Sequence, residues 1–349
     1  MERGHLSRSC YSLSSLRMSR QYRVAIVGAT GAVGIELLHV MERRNFPVSS
    51  VKLLASARSA GKTLKFHRQE IAVETLGVNS FEDIDLAFFS AGAGISLEYA
   101  PIAVQCRAVV IDNSSAFRKQ EETPLVIPEI NGGDIAHHHG IIANPNCTTA
   151  ITLMGLYPLH RKFRVKRVVA SSYQAVSGAG ALAMEELRQQ TKAVLAGKTI
   201  EREVFPHQIA FNVIPQVDFF LDSGYTKEEM KMQNEGRRIM HLPGFKASLT
   251  CVRVPVFRAH SVSVCAQFEN AVTLREAREA IQSFRGIELR DDPTESIYPM
   301  PLNYAGEDVC AVGRLRIDSA FENALSFWVC GDQLLKGAAL NAVQIAELL

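Results

Sequence analysis

Cys147 is the residue of this chain best placed to do covalent chemistry. It follows an apolar run, Ile141 to Ala143, and the polar turn Asn144-Pro145-Asn146, and a helical pattern begins after it. Its thiol is therefore expected where a strand turns into a helix. There the unpaired N–H groups and the positive end of the macrodipole favour the thiolate, the form that attacks carbonyl carbon. A buried structural thiol is the alternative for any cysteine; the polar turn and the partners available elsewhere favour the reactive reading. Arg118 closes the loop Asp112-Asn-Ser-Ser-Ala-Phe-Arg118 and is a candidate anion ligand. Thr226 and Glu229 form a capping box, which leaves Glu228 and Lys231, three apart on one helix face, to present one negative and one positive group. An ordinary surface pair is the other reading of those two. Arg253 lies on an alternating stretch, Thr250 to Phe257, with Cys251 and opposite Val252, Val254 and Val256. His260 falls in a loop between that strand and the next, expected at Val262 to Phe268, and titrates near neutrality, as proton transfer requires.

The elements that must position these groups begin with a short β-branched strand, Val24 to Val27. The turn Gly28-Ala-Thr-Gly31-Ala-Val-Gly34 and a helix from Val33 to Arg44 follow directly. Strand, glycine turn and helix make a dinucleotide-binding start, in which backbone N–H groups can approach a pyrophosphate. The spacing is G-x-x-G-x-x-G, so the position between strand and helix carries the argument more than the glycines do. At the end of the next strand, Val51 to Ala55, an NAD site would normally carry an acid for the ribose 2′-hydroxyl. This chain has Ser56, Arg58 and Ser59, which suit a 2′-phosphate and point to NADP. Asp85 to Phe89 and Ala108 to Ile111 continue a parallel pattern, with a helix near Ile95 to Arg107 between them.

Beyond Cys147 a helix is expected to about Tyr157, then a strand from Arg167 to Gln174, a turn at Ser177 to Gly180 and a helix from Ala181 to Leu195. Residues 206 to 225 form a loop-rich excursion with aromatics, a candidate contact surface between subunits. A helix from Thr273 to Phe284, strands at Val309 to Ile317 and Ala324 to Val329, and a final helix from Gly331 to Leu349 complete the reading. Strands with helices on one side indicate a mostly antiparallel α+β domain.

A chain of 349 residues, 47% hydrophobic and 21% charged, is large enough for two cored domains. A net charge of +2 without a polybasic block gives no field for nucleic acid, and a small-molecule partner is expected. No apolar run approaches the roughly 20 residues of a membrane span. The seven cysteines lack a C-x-x-C pair, which indicates free thiols in a reducing compartment and no zinc-ligand spacing. In the tract His137-His138-His139 three consecutive side chains cannot converge on one ion, so it is read as loop and no metal is expected. Residues 1–20 are rich in Ser and Arg. They read either as a short transit segment, which would make the protein plastid-targeted, or as a leader to the true start at Met18, which leaves it cytoplasmic.

The motifs Gly28 to Gly34, Asp112 to Arg118, Asn144-Pro-Asn-Cys-Thr148, Tyr173-Gln-Ala-Val-Ser-Gly-Ala-Gly180, Glu228-Glu-Met-Lys-Met232, Cys251-Val-Arg-Val-Pro255 with Ala259-His-Ser261, and Lys336-Gly-Ala-Ala-Leu-Asn341 occur in that order. From about Tyr22 onward the chain closely resembles the aspartate-semialdehyde dehydrogenases. The resemblance implies a homodimeric, NADP-dependent enzyme with an N-terminal Rossmann domain and an α+β catalytic and dimerisation domain with a mostly antiparallel sheet. The expected division is an extension at 1–20, a dinucleotide domain at 21–146 joined by the last helix at 331–349, and a catalytic domain at 147–330. It implies Cys147 as nucleophile, Gln174 as the residue orienting substrate and thioester, and His260 as acid/base. Arg253 would take the substrate carboxylate, Glu228 its ammonium, Arg118 and Lys231 the phosphate, with Asn146 also at the substrate. Gly28, Ala29, Thr30, Gly31, Ala32, Val33, Ser56, Arg58, Ser59, Ser177 and Gly178 would contact the cofactor. So would Gln333, where the family commonly has Asn. The nearest rival is N-acetyl-glutamyl-phosphate reductase, whose substrate lacks a free ammonium and leaves Glu228 without a role.

Overall fold

A computed structural model describes residues 21–349, so both readings of residues 1–20 lie outside the described residues. Seven strands, β1 (Tyr22–Val27), β2 (Val48–Ala55), β3 (Thr63–Phe66), β4 (Gln69–Thr75), β5 (Leu86–Phe89), β6 (Val109–Asp112) and β7 (Ile141–Ala143), form one sheet in the order β3-β4-β2-β1-β5-β6-β7. All pairings are parallel except the β3/β4 hairpin. Val24 to Val27 and all of β5 are buried, as central parallel strands covered on both faces must be. The strand order reverses between β1 and β5, and ligands of such sheets bind at the crevice beyond those strand ends. Helices α1 (Ala32–Arg43) and α2 (Ala93–Gln105) and the single turn α3 (Pro128–Asn131) complete this part.

The second sheet is built from β8 (Val165–Gln174), β9 (Lys246–Arg253), β10 (His260–Phe268), β11 (Ile287–Leu289), β12 (Cys310–Ile317) and β13 (Ala324–Gly331), in the order β11-β12-β13-β10-β8-β9. Its three inner pairings are antiparallel and its two outer ones parallel. Helices α4 (Cys147–Phe163), α6 (Lys227–Ile239) and α7 (Leu274–Gln282) cover one face, while Val169, Tyr173 and Ile317 stay exposed elsewhere on the strands. Helix α5 (Ala181–Leu195) packs with Phe205, Ile209 and Ile214 as a separate small core, and α8 (Pro301–Tyr304) is one turn. The last helix, α9 (Leu340–Ala346), returns to the first sheet, where Leu340, Val343 and Ile345 join Val24, Leu37 and Met41 in one core. No helix among the described residues is long and apolar enough to cross a membrane.

Of the boundaries that differ from expectation, four have a plain local reason. Helix α4 continues through Pro158 to Phe163, because Leu159 and Phe163 extend its buried surface and the left-handed Arg164 (φ 62°) ends it. Strand β9 stops at Arg253, ahead of Pro255, so Val254 and Val256 lie outside it. His260 is the first residue of β10, paired with Gly331, and not a loop residue. The final helix starts late: Gly331 completes β13, Asp332 accepts the Leu334 N–H, and residues Leu335–Ala339 form a π turn before α9. The β3/β4 hairpin was not anticipated at all; its turn is carried by His67 and Arg68 at positive φ, without a glycine to mark it. His137 closes a short 3-10 turn, Gly132–His137, where plain loop was expected.

Candidate active site

Cys147 is the first residue of α4, and Asn146 caps that helix by accepting the Thr149 N–H at 3.1 Å. Strands β6 and β7 run in register into this turn, Asp112 beside Ala143, so the loops that follow them share one edge with the thiol. Arg118, from the first of these loops, is buried. Its Nε donates to the Asn144 carbonyl at 2.8 Å, Nη2 to the Asn113 carbonyl at 2.6 Å, and Nη1 reaches Glu235 at 3.3 Å. The other Glu235 oxygen accepts the Asn146 N–H at 2.7 Å, so one carboxylate fixes both Arg118 and the capping residue. Glu235 was not read from the sequence, although its spacing of seven from Glu228 puts both on one face of α6.

The second sheet supplies the other wall. Gln174 and Arg253 end the parallel strands β8 and β9 side by side. Arg253 exchanges backbone hydrogen bonds with Ile214 at 2.8 and 2.9 Å, so the 206–225 excursion clamps this strand end. The Arg253 Nη1 donates to the Ala175 carbonyl at 2.7 Å, and the guanidinium lies 5.9 Å from the Phe205 ring centre. His260 places Nε2 3.6 Å from the Cys147 Sγ, while Nδ1 accepts the Ala175 N–H at 3.1 Å. Assigned from that bond, the neutral ring carries its proton on Nε2, facing the sulfur. A third wall is the π turn: a Cβ on Gly337 would stand 2.7 Å from the Cys147 Cβ, so only glycine lets this backbone pass the nucleophile.

The charges are paired among themselves. Glu228 accepts from Lys231 at 2.8 Å, Asn146 at 3.0 Å and Gln174 at 3.2 Å, and Lys231 also reaches Asp218 at 3.2 Å. Burial pushes the Glu228 carboxyl up, but Lys231, Asn146 and Gln174 together hold it down at about 2. Burial, then Glu228, push the Cys147 thiol up to about 11, against the opposing pull of Arg118, Lys231 and Arg253. Burial, then Arg253, push His260 down to about 3. Burial and Glu228 thus oppose the thiolate that the helix position favours, beside an imidazole that burial and Arg253 hold toward its neutral form.

Arg118, Asn146, Cys147, Ser177, Gly178 and Gln333 line one cavity of about 360 Å³, which also reaches Gly31, Ala32 and Val33. A second cavity, about 400 Å³, shares Gly31 and Ser90 with it, is lined also by Gly28 and Thr30, and runs to Ser56, Arg58 and Ser59. Gly28 has φ +87°, and a Cβ there would stand 2.5 Å from the Ser90 carbonyl oxygen, so the turn needs glycine both for its conformation and for its packing. Arg58 is exposed, and Thr30 Oγ1 meets Ser59 Oγ at 3.4 Å. These two joined cavities fit an extended dinucleotide with its reactive end near Cys147. Ala29 faces neither cavity: it is fully buried and its N–H bonds to the Leu54 carbonyl, so it supports the turn from behind. Gln333 lines the cavity, but its amide is engaged within the protein, accepting the Ala259 N–H at 2.8 Å and donating to Ser177 Oγ. Among the described residues no group of His, Cys, Asp and Glu is arranged to hold a metal ion.

Comparisons with known proteins cover both halves of this arrangement. Residues 23–138 match the family described as semialdehyde dehydrogenase, NAD binding domain, and residues 156–336 the family described as semialdehyde dehydrogenase, dimerisation domain. The chain is 52% identical to the aspartate-semialdehyde dehydrogenase of Aquifex aeolicus over 94% of this chain and 98% of that one. It is 47% identical to the Bacillus subtilis enzyme of the same name, over 95% and 98%. The crystal structure of aspartate semialdehyde dehydrogenase II complexed with ASA from Vibrio cholerae superposes with a TM-score of 0.91 at 42% identity, covering 95% of this chain and 98% of that one.

Proposed function

The chain belongs to the aspartate-semialdehyde dehydrogenase family, and we propose that Cys147 is the nucleophile through which it carries out the family's reaction. That reaction is the nicotinamide-dependent reductive dephosphorylation of L-aspartyl 4-phosphate to L-aspartate 4-semialdehyde, in the biosynthesis of lysine, methionine, threonine and isoleucine. The observation that carries the assignment is the 3.6 Å approach of His260 Nε2 to the Cys147 Sγ at the capped start of α4.

Cys147 attacks the acyl carbon of the substrate, phosphate leaves, and a thioester remains on the sulfur. Because a thiolate is both a strong nucleophile and a good leaving group, one hard step becomes two easier ones. The joined cavities would hold the dinucleotide, which would supply the hydride that reduces the thioester, the C–S bond then breaking to free the Cys147 thiolate and the semialdehyde. Arg118 and Lys231 hold the phosphate, Arg253 the α-carboxylate and Glu228 the ammonium, each exchanging a partner inside the protein for one on the substrate. Gln174 and Asn146, which both donate to Glu228, orient the bound amino acid. His260 serves as acid/base. In the free enzyme it faces the sulfur as a donor, and taking a proton at Nε2 requires Nδ1 to release the Ala175 amide.

NADP is the preferred dinucleotide, because the exposed Arg58 with Ser56 and Ser59 stands where an NAD site would carry an acid. The functional division is residues 21–146 with 331–349 for the cofactor and 147–330 for catalysis and dimerisation. The enzyme works as a cytoplasmic homodimer on a small-molecule substrate. Two features support the substrate: Glu228 gives an ammonium its partner, which an N-acetylated substrate would not use, and the Vibrio cholerae relative was crystallised complexed with ASA.

The test is phosphate-dependent reduction of NADP by aspartate semialdehyde, run beside N-acetylglutamate semialdehyde and with NAD in place of NADP. Activity with the first substrate and NADP, lost on alkylation of Cys147, is expected. Activity confined to the acetylated substrate would overturn the roles of Glu228 and Arg253, and equal activity with NAD would overturn that of Arg58.

A further inference from the structure

Two residues before His260 and outside the lining of both cavities, Arg258 joins three parts of the chain. Its Nε donates to Asp332 Oδ2 at 2.5 Å and its Nη1 to Glu36 Oε1 at 2.6 Å. Glu36 lies on α1, the helix that the glycine turn opens. Asp332 is fully buried and sits between β13 and the π turn, where its carboxylate also accepts the Leu334 N–H at 2.8 Å and the Gly306 N–H at 2.6 Å. Its carbonyl accepts the N–H of Gly337, the residue packed against Cys147. Arg258 itself is two residues before His260, and the intervening Ala259 is held at φ +71°, a conformation that a non-glycine residue keeps only when its surroundings enforce it.

We propose that Arg258 is a positioning residue: a clasp that fixes His260 against Cys147 by tying the segment before β10 both to Asp332 and to Glu36 of the dinucleotide-binding helix. The geometry is that of a tether between three segments of the chain more than of a surface ion pair. One acid of the pair is inaccessible to water, and removing the arginine leaves a buried carboxylate satisfied by backbone donors alone. The residue before the general acid/base is then free to relax from its left-handed conformation, and the ring moves with it. A shift of this size at a reacting group is what costs rate without costing affinity, since Arg253 and Glu228, which hold the substrate, stand on β9 and α6.

This inference rests on the assignment of His260 as acid/base. Arg258→Gln, Arg258→Lys, Glu36→Gln and the double variant Glu36→Gln/Arg258→Gln are assayed with aspartate semialdehyde, NADP and phosphate, with active sites counted by Cys147 alkylation. Arg258→Gln is expected to lower kcat on the order of 10- to 100-fold, with KM for the semialdehyde within about twofold. Lysine, a single point charge, recovers part of the loss. The acidic limb of the kcat profile should move up toward the ordinary histidine range as the ring meets water, with Cys147, Arg253 and Glu228 the charged or titratable groups around it. Glu36→Gln should lower kcat in the same sense, and the double variant should be no worse than Arg258→Gln alone. A lower melting temperature with unchanged kcat per active site, or effects of Glu36 and Arg258 that multiply independently, would overturn the clasp. Should Arg258→Gln fail to fold, Glu36→Gln alone decides, by the same shift of the acidic limb. His260→Ala is the control: full activity there removes the acid/base reading itself, whereas its collapse beside an unaffected Arg258→Gln removes only the clasp.

Discussion

The glycine-turn cavity and the Cys147 cavity are neighbours of similar volume, about 400 and 360 Å³, yet they are built on opposite principles. The first is made largely of backbone and small side chains, and its cation, Arg58, is exposed. The second is lined by Arg118, and the charges gathered behind it around Cys147 already have partners: Arg118 with Glu235, Lys231 with Glu228 and Asp218, Arg253 with the Ala175 carbonyl. A dinucleotide therefore meets donors awaiting a ligand, whereas an amino-acid phosphate must displace internal pairs one for one. Affinity in the first cavity scales with contacts added, and in the second with how well each exchanged bond is replaced.

The sharpest way to break this contrast is at the sulfur. Cys147→Ala should cut turnover by at least about 10⁴-fold while NADP binding, followed by fluorescence titration, stays unchanged. A parallel loss of cofactor affinity would show that the cavities are not separable. Arg253→Lys comes next, since a point charge replaces a fork already committed to Ala175. A fall in kcat/KM of about 10²-fold, mostly in KM, is expected in steady-state assays with the semialdehyde. In the open cavity the effect should be smaller and selective. Arg58→Ala should raise KM for NADP about tenfold and leave KM for NAD alone, and an equal change for both would deny Arg58 a role at the 2′-phosphate. A separate effect, outside that ranking, concerns stability and pH. Burial, then Arg253, depress His260 to about 3 in the folded chain, so only the unfolded chain takes up its proton as pH falls below 6.5. Stability should be full above 6.5 and decline by about 1 kcal/mol per pH unit toward 3. Urea unfolding at pH 8, 6 and 5 measures this, and a slope unchanged in His260→Gln would assign the acid sensitivity to other groups.

Residue type and order made the site legible where chemistry is local. The capping box at Thr226 and Glu229 forms as its spacing implies, and Glu228 and Lys231 meet on one helix face because three residues make nearly one turn. Cys147 begins its helix because Asn146 can cap it. What could not be read depends on distance through space. The thiol's proton is set by desolvation among groups from α6, β9 and β10, which no window around Cys147 contains. Glu235 looked like any polar helix residue until Arg118, 117 positions earlier, came beside it. Gln333 was read as a cofactor contact, and its bonds to Ala259 and Ser177 appear only once three separated segments converge. The β3/β4 hairpin was missed because its turn uses His67 and Arg68 in place of the usual glycine.

The return of the C-terminal segment has a consequence for the order in which the molecule can be made. Leu335, Ala339, Leu340 and Val343 complete the core that Val24, Ile26 and Leu37 begin, and Gly337 forms the wall beside Cys147. A nascent chain on the ribosome, with its first 300 residues already extruded, has only α1 on that face of its first sheet and still lacks one side of its nucleophile. Neither that core nor the wall beside Cys147 is finished until residues 335–346 emerge, so a product truncated before them carries an unfinished thiol pocket and a partly uncovered apolar sheet.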